Sequence, residues 1–319
     1  MSAEVELVKK LVSSDLMVAA VEIPSNHKSK PLVVDDLEEV LARFDYQLAR
    51  NIYQVLIRKG TTIPKGLAGL ARTYDKEGDA EKAIRCYQEA IAYSSEYPFY
   101  QALAALQIRA GSDDQAAQTL LHALGLAALD DEQRFDLHKS LGNSYTRLGE
   151  YAKAEHHYRK AYELNSKSDI LQVNVGSLAL QKSDLEAAQK HFQRALELNP
   201  GNDKAISGMG MVYLGKNSLA KAYEHFVKSL RLNLNNLGAI YNLVKCAYEL
   251  KRFDEASELL RRYIELNPVN TNILYSYAGI LYHQGRHEQA LAQTRKILEA
   301  NPAHAGAKEL MELAQAKLA

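Results

Sequence analysis

A set of residues returns at a fixed interval of 34 through most of this 319-residue chain. In "HKSLGNSYTRLGEYAKAEHHYRKAYELN" the order is Gly142, Tyr145, Gly149, Ala154, Tyr158, Ala161. One interval later Gly176, Ala188, Phe192 and Ala195 stand where Gly142, Ala154, Tyr158 and Ala161 stood. A fixed period of this size means one supersecondary unit stacked on copies of itself, because a single unit cannot bury its apolar face alone.

With Gly149 set as position 15, units begin at Phe135, Asp169, Asp203, Leu237 and Thr271. Position 8 reads Gly142, Gly176, Gly210, Val244, Ala278, and position 20 is alanine throughout: Ala154, Ala188, Ala222, Ala256, Ala290. Position 24 reads Tyr158, Phe192, Phe226, Leu260, Thr294. Gly78 and Gly111 set two further units upstream, from Pro64 and Tyr97.

Each unit carries apolar residues at helical spacing, a short turn, and a second amphipathic helix. The turn falls at Gly78-Asp79, Gly149-Glu150, Ser183-Asp184 and Gly285-Arg286, with Asn217-Ser218 and Lys251-Arg252 as departures. Small residues at positions 8 and 20 let the two helices approach closely, and large ones at position 24 fill the space beside them. Asn-Pro at Pro200, Pro268 and Pro302 ends the second helix, since proline cannot continue it.

These residues resemble the tetratricopeptide repeat superfamily, in register over about Pro64 to His304. The family's usual tryptophan at position 4 is absent. The resemblance implies an all-α fold: a right-handed superhelical solenoid of antiparallel helix pairs with a concave groove lined by first helices. The expected organisation is a non-repeat segment 1–29, a degenerate repeat or capping helices at 30–63, and seven units over 64–304. Their spans are about 64–96, 97–134, 135–168, 169–202, 203–236, 237–270 and 271–304. A capping helix at 305–319 follows. The residues between Leu126 and Arg134 hold four extra positions, and Asp130 with Gln133 predicts a capping box that lengthens a helix by a turn. Upstream, Ala49 and Tyr53 match positions 20 and 24, and Asp35 with Glu38 can cap a helix.

In the family, partner contacts come from the exposed face of the first helices. The resemblance places Lys139, Asn143, Asn174 and Lys204 where relatives carry a carboxylate clamp for a peptide's C-terminal tail. Ammonium groups supply charge there, and amides supply directional hydrogen bonds. The clamp's arginine is replaced by Gly208, which leaves it incomplete. Further along, Asn242 repeats the register of Asn174, while Tyr241, Tyr275, Tyr282 and His283 supply flat amphipathic surface suited to interaction hot spots. His157, His191 and His225 share position 23. Equivalent residues of neighbouring hairpins lie about 8–10 Å apart, too far for one metal ion, so the ladder reads as a solvent-side stripe.

The remaining features exclude other classes. No GxSxG, HExxH or phosphate-cradling glycine loop occurs, and the acid pairs fall at helix starts. Lysine plus arginine equals aspartate plus glutamate at 39 each, which argues against a nucleic-acid binder. No apolar run approaches the roughly 18 residues of a membrane span. The first residues make a poor signal peptide, and Cys86 and Cys246 read as reduced thiols, so the expected location is cytoplasmic. The expectation is a non-enzymatic scaffold or adaptor with no cofactor and no metal, holding a protein or peptide segment in its groove. The alternative is a regulatory or targeting subunit of an enzyme or signalling complex, docked through the N-terminal segment. That segment also offers a route to homo-oligomers, or a self-ligand at residues 16–34.

Overall fold

The computed structural model describes residues 46–58 and 63–318. The expectations for residues 1–34 and for the Asp35–Glu38 cap lie outside these. The described residues form sixteen helices. A first unit, ending at Leu164, holds α1 (Tyr46–Arg58), α2 (Ile63–Glu77), α3 (Ala80–Tyr93), α4 (Tyr97–Arg109), α5 (Asp113–Leu124), α6 (Asp131–Arg147) and α7 (Tyr151–Leu164). A second, from Asn165, holds α8 (Asp169–Gln181), α9 (Leu185–Leu198), α10 (Asp203–Gly215), α11 (Leu219–Leu232), α12 (Leu237–Leu250), α13 (Asp254–Leu266), α14 (Thr271–His283), α15 (His287–Ala300) and α16 (Ala305–Ala316). Within each unit every helix packs on the next, and the non-sequential pairs α4–α6 in the first unit and α8–α10, α11–α13 and α14–α16 in the second also touch.

The periodic residues have a direct packing cause. The ring of Tyr158 lies where a side chain on Gly142 would be, Phe192 does the same to Gly176, and Phe226 to Gly210. Position 8 is glycine there because the position-24 ring occupies the space of a β-carbon. Where position 24 shrinks to Leu260 or Thr294, position 8 grows to Val244 or Ala278. Burial of rings such as Phe192 and Phe226 stabilises by about 1.5–3 kcal/mol each. Tyr53 is likewise buried, with its ring against Gly69.

All seven turn residues at position 15 have left-handed backbone: Gly78, Gly111, Gly149 and Gly285, but also Ser183, Asn217 and Lys251. The turn geometry is therefore kept where the glycine is not. Helix starts are capped by side chains, among them Asp79, Asp184, Asn202, Asn236 and Asn270. Asp130 and Gln133 form the reciprocal capping box, and α6 runs to 17 residues against 13 in α4, α8 and α10.

Within the second unit, polar links tie the loops between repeats to the first helices. Asn199 and Asn202 donate to Asp169 Oδ2 at 2.7 and 2.9 Å. Asn233 and Asn236 repeat this on Asp203 Oδ2 at 3.2 and 2.9 Å. Burial pushes the Asp169 carboxyl up, but the bonds from Asn202 and Asn199 outweigh it and hold the group below the ordinary aspartate range.

Candidate partner-binding surface

In the first unit the first-helix residues are already engaged. Lys139 is ion-paired with Asp136 one turn earlier, and its ammonium lies 5.0 Å from the centre of the Phe135 ring. The Asn143 carbonyl oxygen accepts from the Tyr158 hydroxyl at 2.8 Å, which leaves the amide nitrogen as the group Asn143 can offer. Tyr158 is buried, its hydroxyl also lies 3.2 Å from Thr146 Oγ1, and burial pushes its phenol up to about 12. Arg109 pairs with Asp75 and Arg147 with Asp113, each across one repeat interval. The cations at these two places are therefore compensated within the fold.

The histidine ladder departs from the solvent-side stripe expected of it. His157 Nδ1 lies 3.0 Å from His138 Nδ1, and His191 Nδ1 lies 2.9 Å from Gln172 Oε1. His138 and Gln172 stand at position 4, where the family carries tryptophan, so a polar pair bridges the two helices of these hairpins. His157 stacks on Tyr145 and contacts His156 edge-on. All three ladder residues are half-buried, and His225 bonds the Lys221 carbonyl instead. Periodicity alone marks a side; it does not reveal that an unusual position 4 leaves a cleft for the imidazole to enter.

The second unit presents a different surface. Lys204 is exposed and has no acidic partner among the described residues. Asn174 is half-buried. Asn242 turns back on its own helix, its amide donating to the Gly238 carbonyl at 2.8 Å, which leaves its carbonyl oxygen and second amide hydrogen as the groups it can offer. Gly208 has a physical reason: the Phe192 ring lies where its side chain would begin. An arginine there would displace a buried ring.

The tyrosines sort into two groups. Tyr241 and Tyr275 are exposed, at 47% and 38%. Tyr282 is half-buried, packs against the core, and meets His287 at 5.2 Å between ring centres. His283 is exposed, and its ring stacks on Phe253 and meets Tyr248 edge-on. Tyr248, not chosen from the sequence, joins this cluster and is 36% exposed. Burial, then the neighbouring Tyr275, push its phenol up to about 12. A signal for it existed: Tyr241, Lys245 and Tyr248 follow at i, i+4, i+7 and share one helix face.

Among the described residues no group of three histidine, cysteine, aspartate or glutamate side chains is placed to hold a metal, and no helix is long and apolar enough to cross a membrane. Cys246 is buried, and burial pushes the Cys86 thiol up to about 11, well away from a reactive thiolate.

Comparison with known proteins completes the picture. Family models described as tetratricopeptide repeat match residues 64–97, 135–168 and 241–305. A model described as anaphase-promoting complex, cyclosome, subunit 3 matches residues 181–263. A comparison with curated proteins finds no match. Among solved structures, yeast Tom70 is similar with a TM-score of 0.65 at 16% identity, over 99% of this chain and 64% of that one. The Pseudomonas aeruginosa pilF structure gives 0.51 at 21% identity, over 68% and 97%. The tetratricopeptide repeat protein YrrB gives 0.44 at 30% identity, over 50% and 82%. With its repeat residues matched by three family models and its helix pairs packed as this fold requires, the chain belongs to the tetratricopeptide repeat superfamily, whose members are typically non-catalytic scaffolds for protein–protein interaction.

Proposed function

We propose that the protein is an adaptor that holds a peptide or protein segment on the exposed faces of its first helices. The seven units over 64–304 form the array in this reading. Its contact residues are drawn from Lys139, Asn143, Asn174, Lys204, Asn242, Tyr241, Tyr275, Tyr282 and His283. The observation that carries the reading is the contrast between aromatic residues. Those at position 24, such as Phe192 and Phe226, are buried between helices, while Tyr241 and Tyr275 stand exposed on first helices. Large rings left in water cost little to cover and give much contact per side chain. The compensated cations around Lys139 weight the surface toward the second unit, where Lys204 is free of acidic partners.

The test is affinity capture on the immobilised full chain, comparing wild type with Tyr241→Ala/Tyr275→Ala at matched helical circular dichroism. The expected result is loss of the specific partners. Retention of the same partners would move recognition to the second helices or to residues outside the described ones, and the reading would fall.

A further inference from the structure

In the second unit two tyrosines reach from one helix to the next. The Tyr248 hydroxyl occupies the place where a side chain on Gly279, in the next first helix, would begin. The Tyr275 hydroxyl lies 2.7 Å from the same place on Gly306 of α16, with its ring carbons at 2.9 and 3.2 Å. The Tyr248 hydroxyl and the outer end of the Tyr275 ring therefore reach the next helix over a glycine, while the Tyr248 ring meets Phe253 and His283 and the Tyr275 ring meets His304. Both remain more than a third exposed, so ring surface faces outward. Neither hydroxyl has a hydrogen-bond partner among the described residues. Partly exposed aromatic surface of this kind suits proline rings of an extended segment, which bring little conformational entropy to lose on binding.

Charge selects further. The second helices of this unit carry many ions, but these pair with one another: Arg194 with Glu197, Arg231 with Glu255, Arg261 with Glu258 and Glu265. On the first helices α8, α10, α12 and α14 the balance differs. Asp169 and Asp203 are engaged by asparagines. Glu249 is the remaining carboxylate there, and α16 adds Lys308, Glu309 and Glu312. Lys204 and Lys245 are both exposed and have no acidic partner among the described residues. Lys245 stands between Tyr241 and Tyr248 on one face of α12, so cation and rings address the same ligand.

We infer that this surface takes an extended, proline-containing acidic segment of a partner protein, with ring stacking on Tyr248 and Tyr275 and a carboxylate on Lys245. The inference rests on the adaptor reading and names its ligand chemistry. Surface charge of this sort sets specificity and encounter rate more than raw affinity, and it weakens with salt.

The experiment is fluorescence anisotropy of the full chain with three short dye-labelled probes of equal length: alternating Glu-Pro, alternating Lys-Pro and alternating Glu-Gly. The expected order has Glu-Pro tighter than each of the others by about tenfold or more, falling as salt rises. Lys245 is exposed, so Lys245→Glu should leave the helical circular dichroism unchanged while abolishing the preference for Glu-Pro over Lys-Pro. Tyr248→Ala/Tyr275→Ala should abolish the preference for Glu-Pro over Glu-Gly. Equal binding of all three probes, no binding, or a preference untouched by Lys245→Glu would overturn the inference. If partners are still lost from the Tyr241→Ala/Tyr275→Ala capture experiment in that case, the adaptor reading stands and only the ligand chemistry is wrong.

Discussion

His138 and His157 face each other across the α6–α7 hairpin with their Nδ1 atoms 3.0 Å apart. One ring must donate and the other accept, so the contact survives with no more than one of the two Nδ1 lone pairs protonated. Burial first, then the charges of His138 and His156, push His157 down to about 4. Burial also lowers His138, helped by His156, Lys160 and Arg134 and opposed by Glu163. Both groups thus bind protons less readily folded than at the unfolded value of about 6.5. The contribution to stability is complete above about pH 6.5 and is lost as pH falls toward about 4, where the unfolded chain takes up protons that the folded one refuses. Thermal melts followed by circular dichroism at neutral pH and at about pH 5 should show a smaller loss for His157→Gln than for wild type, by a few degrees. An equal loss in both would show that the pair is not the sensitive element.

Gly210→Ala should destabilise the second unit by about 1–3 kcal/mol, because the new methyl meets the ring of buried Phe226. The double substitution Gly210→Ala/Phe226→Leu reproduces the Val244/Leu260 kind of pairing and should recover part of the loss. Urea unfolding of both variants measures this, and additive losses would contradict the packing account.

Lys251 adopts φ 54° at a position where four other units use glycine. A lysine in this region is strained by about 1 kcal/mol, so Lys251→Gly should raise the urea midpoint of the second unit. Gly285→Ala should lower it by a similar amount. A null result at Lys251 would mean that the gain in unfolded-chain entropy from glycine cancels the relief of strain.

Asp203 receives amides from both Asn233 and Asn236, and Asn236 also caps α12. Asp203→Ala should cost about 1–3 kcal/mol by taking the carboxylate from both amides, although Asn236 keeps the hydroxyls of Ser207 and Ser229 as acceptors. Hydrogen exchange should then rise first at the loop between α11 and α12. Uniform exchange through the unit would argue against a local role for the link.

Much of the hairpin packing was legible because it is periodic. A glycine at position 8 and a ring at position 24, repeated at one interval, report the same steric relation each time, and Tyr158 on Gly142 has the form of Phe192 on Gly176. The capping box at Asp130 was equally readable, since it depends on residues three apart. The binding surface was less so. Tyr282 and Tyr248 share register, yet one packs inward and the other lies across to the next helix, because Gly279 opens a path for Tyr248 that the sequence of α12 alone does not contain.

The sequence by itself determined which residues lie between the helices of a hairpin, where each hairpin turns, and that copies of it stack, because close packing repeats whenever its residues repeat. Only the tertiary structure decided which polar groups remain free. Lys139 is paired with Asp136, the Asn242 amide bonds its own backbone, and Asn143 is fixed by Tyr158, whereas Lys204 and Lys245 are left uncompensated. Packing follows local steric rules that recur at every interval. Availability for binding depends on partners drawn from other turns and helices, and those change from one repeat to the next.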